Sequence, residues 1–135
     1  LGKNFLKKTF LTKKTGAVIL ALEGNLGGGK TTFLQGFAKG LGIKSKILSP
    51  TFVLMKRFKI PKSKKFKNFY HFDCYRMKNQ KDLLELGFEK ILNNPQNIIA
   101  FEWADKAKKI LPKSKIIIKF YFLNKKNRKI WIKNV

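Results

Sequence analysis

One glycine-rich stretch constrains the fold of this chain more than any other feature. It fits the phosphate-binding template G-x-x-x-x-G-K-[ST] without a mismatch and comprises Gly24, Asn25, Leu26, Gly27, Gly28, Gly29, Lys30 and Thr31. Glycines let consecutive backbone N–H groups turn toward phosphate oxygens, where a Cβ would block the turn or the ligand. An unbroken apolar run over residues 17–22 precedes the loop, and residues 31–41 can form a helix after it. Strand, glycine loop and helix in this order predict a nucleotide site.

The side chains that end the loop predict its contacts with the nucleotide. We expect the Lys30 ammonium to reach the β- and γ-phosphates and the Thr31 hydroxyl to ligate Mg²⁺. Thr32 follows directly and is counted with the nucleotide-binding residues. The predicted cofactors are therefore a nucleoside triphosphate and Mg²⁺.

Two carboxylates stand at the ends of apolar strand-like runs. Asp73 ends residues 69–72, and Glu102 ends residues 98–101, in a chain with only seven acidic residues. A phosphate loop needs an acid near the metal, usually at the carboxyl end of a neighbouring strand. We predict that Glu102 and Asp73 bind the metal together with Thr31, and that Glu102, Asp73 and Lys30 are catalytic. Each acid could instead be a solvent-facing cap.

Two loops bear on which nucleotide is bound. Thr51 lies after the first predicted helix, where nucleotide switches often place a hydroxyl that senses the γ-phosphate. Asn124-Lys125-Lys126-Asn127 begins like the guanine-reading Asn-Lys-x-Asp but ends in Asn, so the carboxylate that would pair with guanine is absent. The sequence therefore favours ATP over GTP.

Three residues near the predicted acids have two readings each. His71 is more typical of a packed or hydrogen-bonded histidine than of a base. Cys74 is typical of a small buried apolar residue, and no second Cys or His stands at zinc-ligand spacing. Trp103 follows Glu102 and packs either in the core or as a lid near the nucleotide.

The pattern of apolar runs predicts an α/β fold: a single P-loop NTPase-like domain over residues 1–135, with a mainly parallel or mixed sheet flanked by helices and a C-terminal antiparallel hairpin. Before the loop we expect a short helix over residues 1–13. After it we expect strands over 52–58, 69–73 and 98–102, with a lysine-rich turn over 60–67 and a helix over 80–92 that is interrupted at Gly87. A short amphipathic segment to Leu111 and strands over 116–123 and 129–135 complete the chain.

The net charge of +24 raises the question of a nucleic-acid partner. Arg57, Arg76 and Arg128 are the arginines among 31 basic residues, and the lysines are spread along the chain. Bidentate readers of bases would favour arginine, so the spread fits a lysine-rich proteome as well as a dedicated RNA surface. The sequence shows no membrane-span pattern, no export signal and one cysteine, which indicates a cytoplasmic protein without membrane or DNA partners.

Five stretches taken together resemble the TsaE family, also called YjeE. They are residues 24–33, 49–52, 70–76, 84–87 and 102–103, in order along nearly the whole chain. The resemblance implies an ATPase of the bacterial machinery that makes threonylcarbamoyladenosine in tRNA. Family members bind ATP and Mg²⁺, hydrolyse ATP slowly alone and act with the TsaB–TsaD pair, which modifies adenosine 37 of tRNAs that read ANN codons. The tRNA contact would be indirect, through that complex.

Carried over by position, the resemblance assigns phosphates to Lys30, the metal to Thr31 and Glu102, and the second acid to Asp73. It further implies that Thr51 belongs to the switch loop, that Trp103 lies beside the catalytic acid and that Arg128 approaches the nucleotide from the hairpin.

This chain departs from the family pattern at two loop positions. The family usually has Asp in place of Asn25 and often Ala in place of Gly28. The backbone cradle tolerates both changes, whereas a catalytic or partner role of that Asp would be lost.

Two other functions remain open on residues alone. A small-molecule kinase would share the loop and the metal site but needs an acceptor pocket with a lid, for which the chain has little room. A basic RNA-binding module with a vestigial nucleotide site would bind tRNA independently of Lys30.

Overall fold

The computed structural model describes residues 16–24, 29–48 and 55–134. The predicted helix over residues 1–13 and the loop with Thr51 lie outside the described residues. The described elements are β1 (Val18–Gly24), α1 (Lys30–Gly40), β2 (Met55–Lys59), β3 (Asn68–Asp73), α2 (Lys81–Leu84), α3 (Phe88–Leu92), β4 (Asn97–Glu102), a 3₁₀ helix (Ala104–Ala107), β5 (Ile116–Phe122) and β6 (Arg128–Asn134).

The six strands form one mixed sheet in the order β2-β3-β4-β1-β5-β6. β1 runs parallel to β4 and β5, and β3 runs parallel to β4. β2 and β6 pair antiparallel at the two edges of this sheet. The predicted α/β fold with a mixed sheet and a C-terminal antiparallel hairpin is thus confirmed.

Apolar side chains fill both faces of the central strands, which is why β1 and β4 read as continuous apolar runs. On one face, α1 buries Leu34, Phe37 and Ala38, which recur at helical spacing. On the other face, α2, α3 and the 3₁₀ helix cover a second cluster with Phe72 and Phe101 at its centre. Burial of each such large side chain stabilises the fold by about 1.5–3 kcal/mol.

The parallel strands β1, β3 and β4 bring three predicted site residues together at their carboxyl ends. Asp73 and Glu102 are register partners at the ends of β3 and β4, and Gly24 ends β1 beside Phe120. Gly24 has φ 138°, and a Cβ there would lie 2.5 Å from the Phe120 carbonyl oxygen. Only glycine therefore fits where β1 turns into the loop.

The predicted interruption at Gly87 is confirmed. Residues 80–92 contain two short helices, α2 and α3, and Gly87 adopts φ 75° at the start of the second. The short segment expected up to Leu111 contains the four-residue 3₁₀ helix Ala104–Ala107. In the described parts of the chain, no helix is long and apolar enough to cross a membrane.

Candidate nucleotide-binding site

A cleft of about 770 Å³ opens at the carboxyl ends of β1, β3 and β4. Its volume lies within the range of small-molecule and cofactor sites. The residues that line it come from α1, the strand ends and the β5–β6 turn: Gly29, Lys30, Thr31, Thr32, Phe33, Asp73, Tyr75, Glu102, Trp103, Lys125, Lys126, Arg128 and Ile130.

Lys30 is the cation at the base of the cleft, with only 6% of its surface exposed. Its Nζ donates a hydrogen bond to the Gly24 carbonyl oxygen at 2.8 Å and lies 3.7 Å from the centroid of the Trp103 ring. Burial lowers the pKa of Lys30 from its usual 10.5, although Glu102 and Asp73 act in the opposite direction. A nearby anion would stabilise the charged form of this poorly solvated ammonium.

The first turn of α1 faces the same cleft. Gly29 caps the helix at φ 94°, a left-handed conformation that glycine adopts without strain. A glycine cap has no side chain to accept hydrogen bonds from the first backbone N–H groups. Such a helix start, with the positive end of its dipole toward the cleft, suits a phosphate group.

Glu102 is the most buried acid of the site, at 3% exposure. One of its oxygens, Oε2, accepts a hydrogen bond from His71 Nε2 at 2.6 Å, and the Thr31 hydroxyl donates to the other, Oε1, at 3.4 Å. His71 is fully buried, and its Nδ1 has no hydrogen-bond partner within the described structure. His71 is therefore a hydrogen-bonded core histidine that fixes the orientation of the Glu102 carboxylate.

Asp73 lies beside Glu102 and is half-buried. Its Oδ1 accepts the backbone N–H of Tyr75 at 3.0 Å. Burial raises the pKa of Asp73 above its usual 3.8, and the Glu102 carboxylate adds to that rise, while the Tyr75 N–H opposes it. The two acids therefore differ: Glu102 is held by two side chains, whereas Asp73 is held by backbone and reaches the cleft.

The side-chain oxygen atoms in the cleft are suitable ligands for Mg²⁺. The Thr31 hydroxyl, Glu102 Oε1 and the Asp73 carboxylate all belong to cleft residues, and Mg²⁺ prefers one or two carboxylates together with phosphates and waters. No group of three or more His, Cys, Asp or Glu side chains that could hold a metal occurs in the described ranges. The donor set thus fits an ion shared with a nucleotide rather than an all-protein metal cage.

Trp103 lines the cleft rather than lying wholly within the core. It has φ 57°, the left-handed region that non-glycine residues rarely adopt. Its ring lies 5.0 Å from that of Tyr75, and it also packs against the buried cluster beneath α2 and α3. This backbone conformation turns the indole toward Lys30.

Arg128, the first residue of β6, lines the cleft from the β5–β6 turn. The Arg128 guanidinium donates to the carbonyl oxygens of Asn124 and Asn127 at 2.6 and 3.2 Å. The Asn124 side chain accepts the backbone N–H groups of Lys126 and Asn127, at 2.9 and 2.8 Å. The stretch that begins like a guanine reader is thus a tight turn whose first asparagine is engaged by its own backbone.

Most of the predicted site residues therefore meet. Those that line the one cleft are Gly29, Lys30, Thr31, Thr32, Asp73, Glu102, Trp103 and Arg128, with Gly24 at its base. Asn25, Leu26, Gly27, Gly28 and Thr51 lie outside the described residues. Sequence reasoning did not find Tyr75, Lys125 and Lys126 in the lining or His71 as the partner of Glu102. The one available signal for His71 was its i, i+2 spacing to Asp73, which puts both on one face of β3.

A glycine-rich sequence between a buried strand and a helix, with a buried lysine at the helix start and acids at neighbouring strand ends, is typical of the P-loop NTPase class of fold. The family profile described as "Threonylcarbamoyl adenosine biosynthesis protein TsaE" matches residues 2–130. The chain belongs to the TsaE family.

Named relatives agree with this assignment. The chain is 38% identical to the tRNA threonylcarbamoyladenosine biosynthesis protein TsaE of Rickettsia prowazekii over 127 residues, which cover 93% of this chain and 83% of the relative. It is 38% identical to the protein of that name from Bacillus subtilis over 119 residues, 86% of this chain and 68% of the relative. The crystal structure of Bacillus subtilis YdiB matches with a TM-score of 0.65 and 30% identity, covering 90% of this chain and 71% of YdiB.

Proposed function

We propose that this chain binds ATP and Mg²⁺, hydrolyses ATP slowly by itself, and serves as an accessory protein in the formation of threonylcarbamoyladenosine in tRNA. The observation that carries the proposal is the convergence of buried Lys30 and buried Glu102 on one cleft at the start of α1. Membership of the TsaE family supplies the biological context.

Lys30 and the start of α1 would bind the phosphates. In the structure the Lys30 ammonium is satisfied by the Gly24 carbonyl at 2.8 Å, a partner without net charge. A phosphate oxygen would be a stronger partner, because charge-assisted hydrogen bonds in a poorly solvated site are about twice as strong as neutral ones. Replacement of the Gly24 carbonyl oxygen by a phosphate oxygen as the partner of Lys30 would therefore contribute to the affinity for the nucleotide.

Thr31, Glu102 and Asp73 would hold Mg²⁺, which, when bound, neutralises charge on the phosphates. Glu102 is positioned for this by His71 and Thr31, one on each carboxylate oxygen. Asp73 is the second acid, and its half-buried carboxylate lines the same cleft as Glu102 and Thr31. Trp103 and Tyr75 would limit the access of bulk water from one wall of the cleft.

ATP is the proposed nucleotide because the Asn124–Asn127 turn has no carboxylate for guanine. By family relationship we further propose the TsaB–TsaD pair as the partner, a cytoplasmic location, and an indirect relation to tRNA through that complex.

Substitution of Glu102 tests the hydrolytic role. In Glu102→Ala, ATP binding should stay within about tenfold of the parent protein, while hydrolysis should fall by roughly 10²–10⁴, the usual contribution of a positioned acid or base. Binding is measured by calorimetry, and hydrolysis by phosphate release in single-turnover assays. Glu89→Ala removes an exposed acid outside the family-matching stretches and is the matched control, for which no change is expected. Equal hydrolysis by Glu102→Ala and the parent would refute the assignment.

A further inference from the structure

The β5–β6 hairpin has a face that the nucleotide site does not use. Directly opposed residues of an antiparallel pair share a face, and so do alternate residues of one strand. Trp131 lies opposite Lys119, Lys129 lies opposite Tyr121, and Lys133 is two residues beyond Trp131. We call these five residues the lysine–aromatic face. The cleft uses Arg128 and Ile130, which alternate with them along β6.

Both aromatic rings of this face are open to solvent. Trp131 is 41% exposed and Tyr121 is 45% exposed. The Lys119 ammonium lies 5.4 Å from the centroid of the Trp131 ring, within the range of a cation–π contact. Large aromatic side chains left in water on an edge of a sheet are candidates for contact with a ligand.

The chain segment that contains this face has charged side chains of a single sign. Over residues 106–135 the sequence has eleven Lys or Arg residues and no Asp or Glu. Like charges on such a surface repel one another and attract polyanions, whose counterions are released on binding.

The composition of the face favours a nucleic acid over a protein. The buried centres of protein interfaces are depleted in lysine, whereas here three lysines surround one tryptophan. Aromatic rings interleaved with lysines are typical of surfaces that bind unpaired strands, because bases stack on the rings and phosphates meet the ammonium groups. A duplex has no free base faces to offer.

We propose that the lysine–aromatic face binds unpaired RNA, with bases stacked on Trp131 and Tyr121 and phosphates held by Lys119, Lys129 and Lys133. The choice of RNA over DNA rests on the proposed function, in which this chain takes part in the modification of a tRNA. Without an arginine among its five residues, the face would bind with little preference for base sequence.

The stacking part of the proposal is tested with a fluorescent oligouridylate of about 12 nucleotides, a length within the usual site size of such surfaces. Anisotropy titrations with the full chain should show Trp131→Leu weakened at least about fivefold, the low end for loss of one stacked base. Trp131→Phe keeps a ring and should stay close to the parent. Ile132→Ala changes an exposed residue of the same strand on the opposite face and should have no effect. Equal affinity of Trp131→Leu and the parent would overturn the proposal.

The charge part is tested by salt dependence. Each phosphate contact on a single strand contributes about 0.7 to the slope of log K against log salt, so Lys129→Gln with Lys133→Gln should reduce that slope by about 1.4. Lys56→Gln with Lys64→Gln removes the same charge from two exposed lysines near the opposite edge of the sheet and is the matched control. Equal reductions in the two double variants would mean general charge alone and would overturn the site.

Two further arms separate this inference from the proposed function. Duplex RNA of the same length should bind more weakly than the single strand, and equal binding would count against stacking. ATP binding is measured in the same preparations. If the parent binds ATP but no oligouridylate, the RNA face is wrong and the nucleotide site stands. If it binds oligouridylate but no ATP, the reverse holds.

Discussion

The nucleotide cleft and the β5–β6 hairpin both depend on lysines, but they place them in opposite surroundings. In the cleft, Lys30 is buried near two acids and touches a carbonyl oxygen and a ring. In the hairpin, Lys129 and Lys133 are exposed, and no acid occurs in the last 30 residues of the chain. Interactions between buried charges are stronger than those between exposed charges, which salt screens. Removal of a single lysine should therefore weaken ligand binding strongly in the cleft and only slightly in the hairpin.

The largest effect is expected for Lys30→Ala. It removes the cation that would meet the phosphates from a buried position, where loss of one partner of a charge pair costs about 3–5 kcal/mol, or roughly 100-fold or more in affinity. Calorimetric titration with ATP and Mg²⁺ measures this loss.

Lys39→Ala is the matched control for Lys30, because Lys39 is an exposed lysine in the last turn of the same helix. It should bind ATP like the parent. Comparable losses in both variants would mean that overall charge, and not the buried site, attracts the nucleotide.

A smaller effect is expected for the histidine that orients Glu102. His71→Leu leaves a buried carboxylate oxygen without its donor, which costs about 1–3 kcal/mol of unfolding free energy. His71→Gln retains an N–H group near the Nε2 position and should recover most of the stability and of the ATP hydrolysis lost in His71→Leu. Urea unfolding and phosphate release are the two readouts. Identical behaviour of the Leu and Gln variants would show that His71 acts through packing alone.

The smallest effect is a pH dependence that originates at Asp73. Because burial raises its pKa, the folded protein keeps a proton on Asp73 at pH values where the unfolded chain has lost it. Stability therefore falls as pH rises from 3.8 through the raised value. Asp73→Asn cannot ionise but still accepts the Tyr75 N–H.

The melting temperature of Asp73→Asn, measured without nucleotide or metal, should exceed that of the parent by a few degrees above this pH window. The difference should vanish below pH 3.8. A difference that does not change with pH would contradict the assignment of the raised pKa to Asp73.

The sequence alone predicted which residues line the cleft better than it predicted the hydrogen bonds between them. Glycine and lysine spacing gave Lys30 and Thr31, and the position of acids after apolar runs gave Asp73 and Glu102. These are local patterns. That His71 and Thr31 hold the two oxygens of Glu102 depends on the register of β3 with β4 and on the placement of α1, which bring together residues far apart in the chain.

Helical boundaries were harder to predict for a different reason. The apolar spacing of residues 80–92 indicates a helix and Gly87 indicates a break in it, but the spacing does not show where the helical turns on either side end. Glycine reaches positive φ at little cost, so tertiary packing decides between a helix with a weak point and two helices with a turn. Here the chain forms two helices with a turn between them, and Leu83 and Phe88, one in each helix, are both buried.

The most direct test of the central claim adds the TsaB–TsaD pair, a tRNA substrate and the threonylcarbamoyl donor to this chain and follows both ATP turnover and modified adenosine. We expect ATP turnover to rise above that of the chain alone and modified adenosine to accumulate beyond one round per complex. Both gains should disappear with Glu102→Ala. Unchanged ATP turnover and an unchanged yield of modified adenosine would contradict the proposed function.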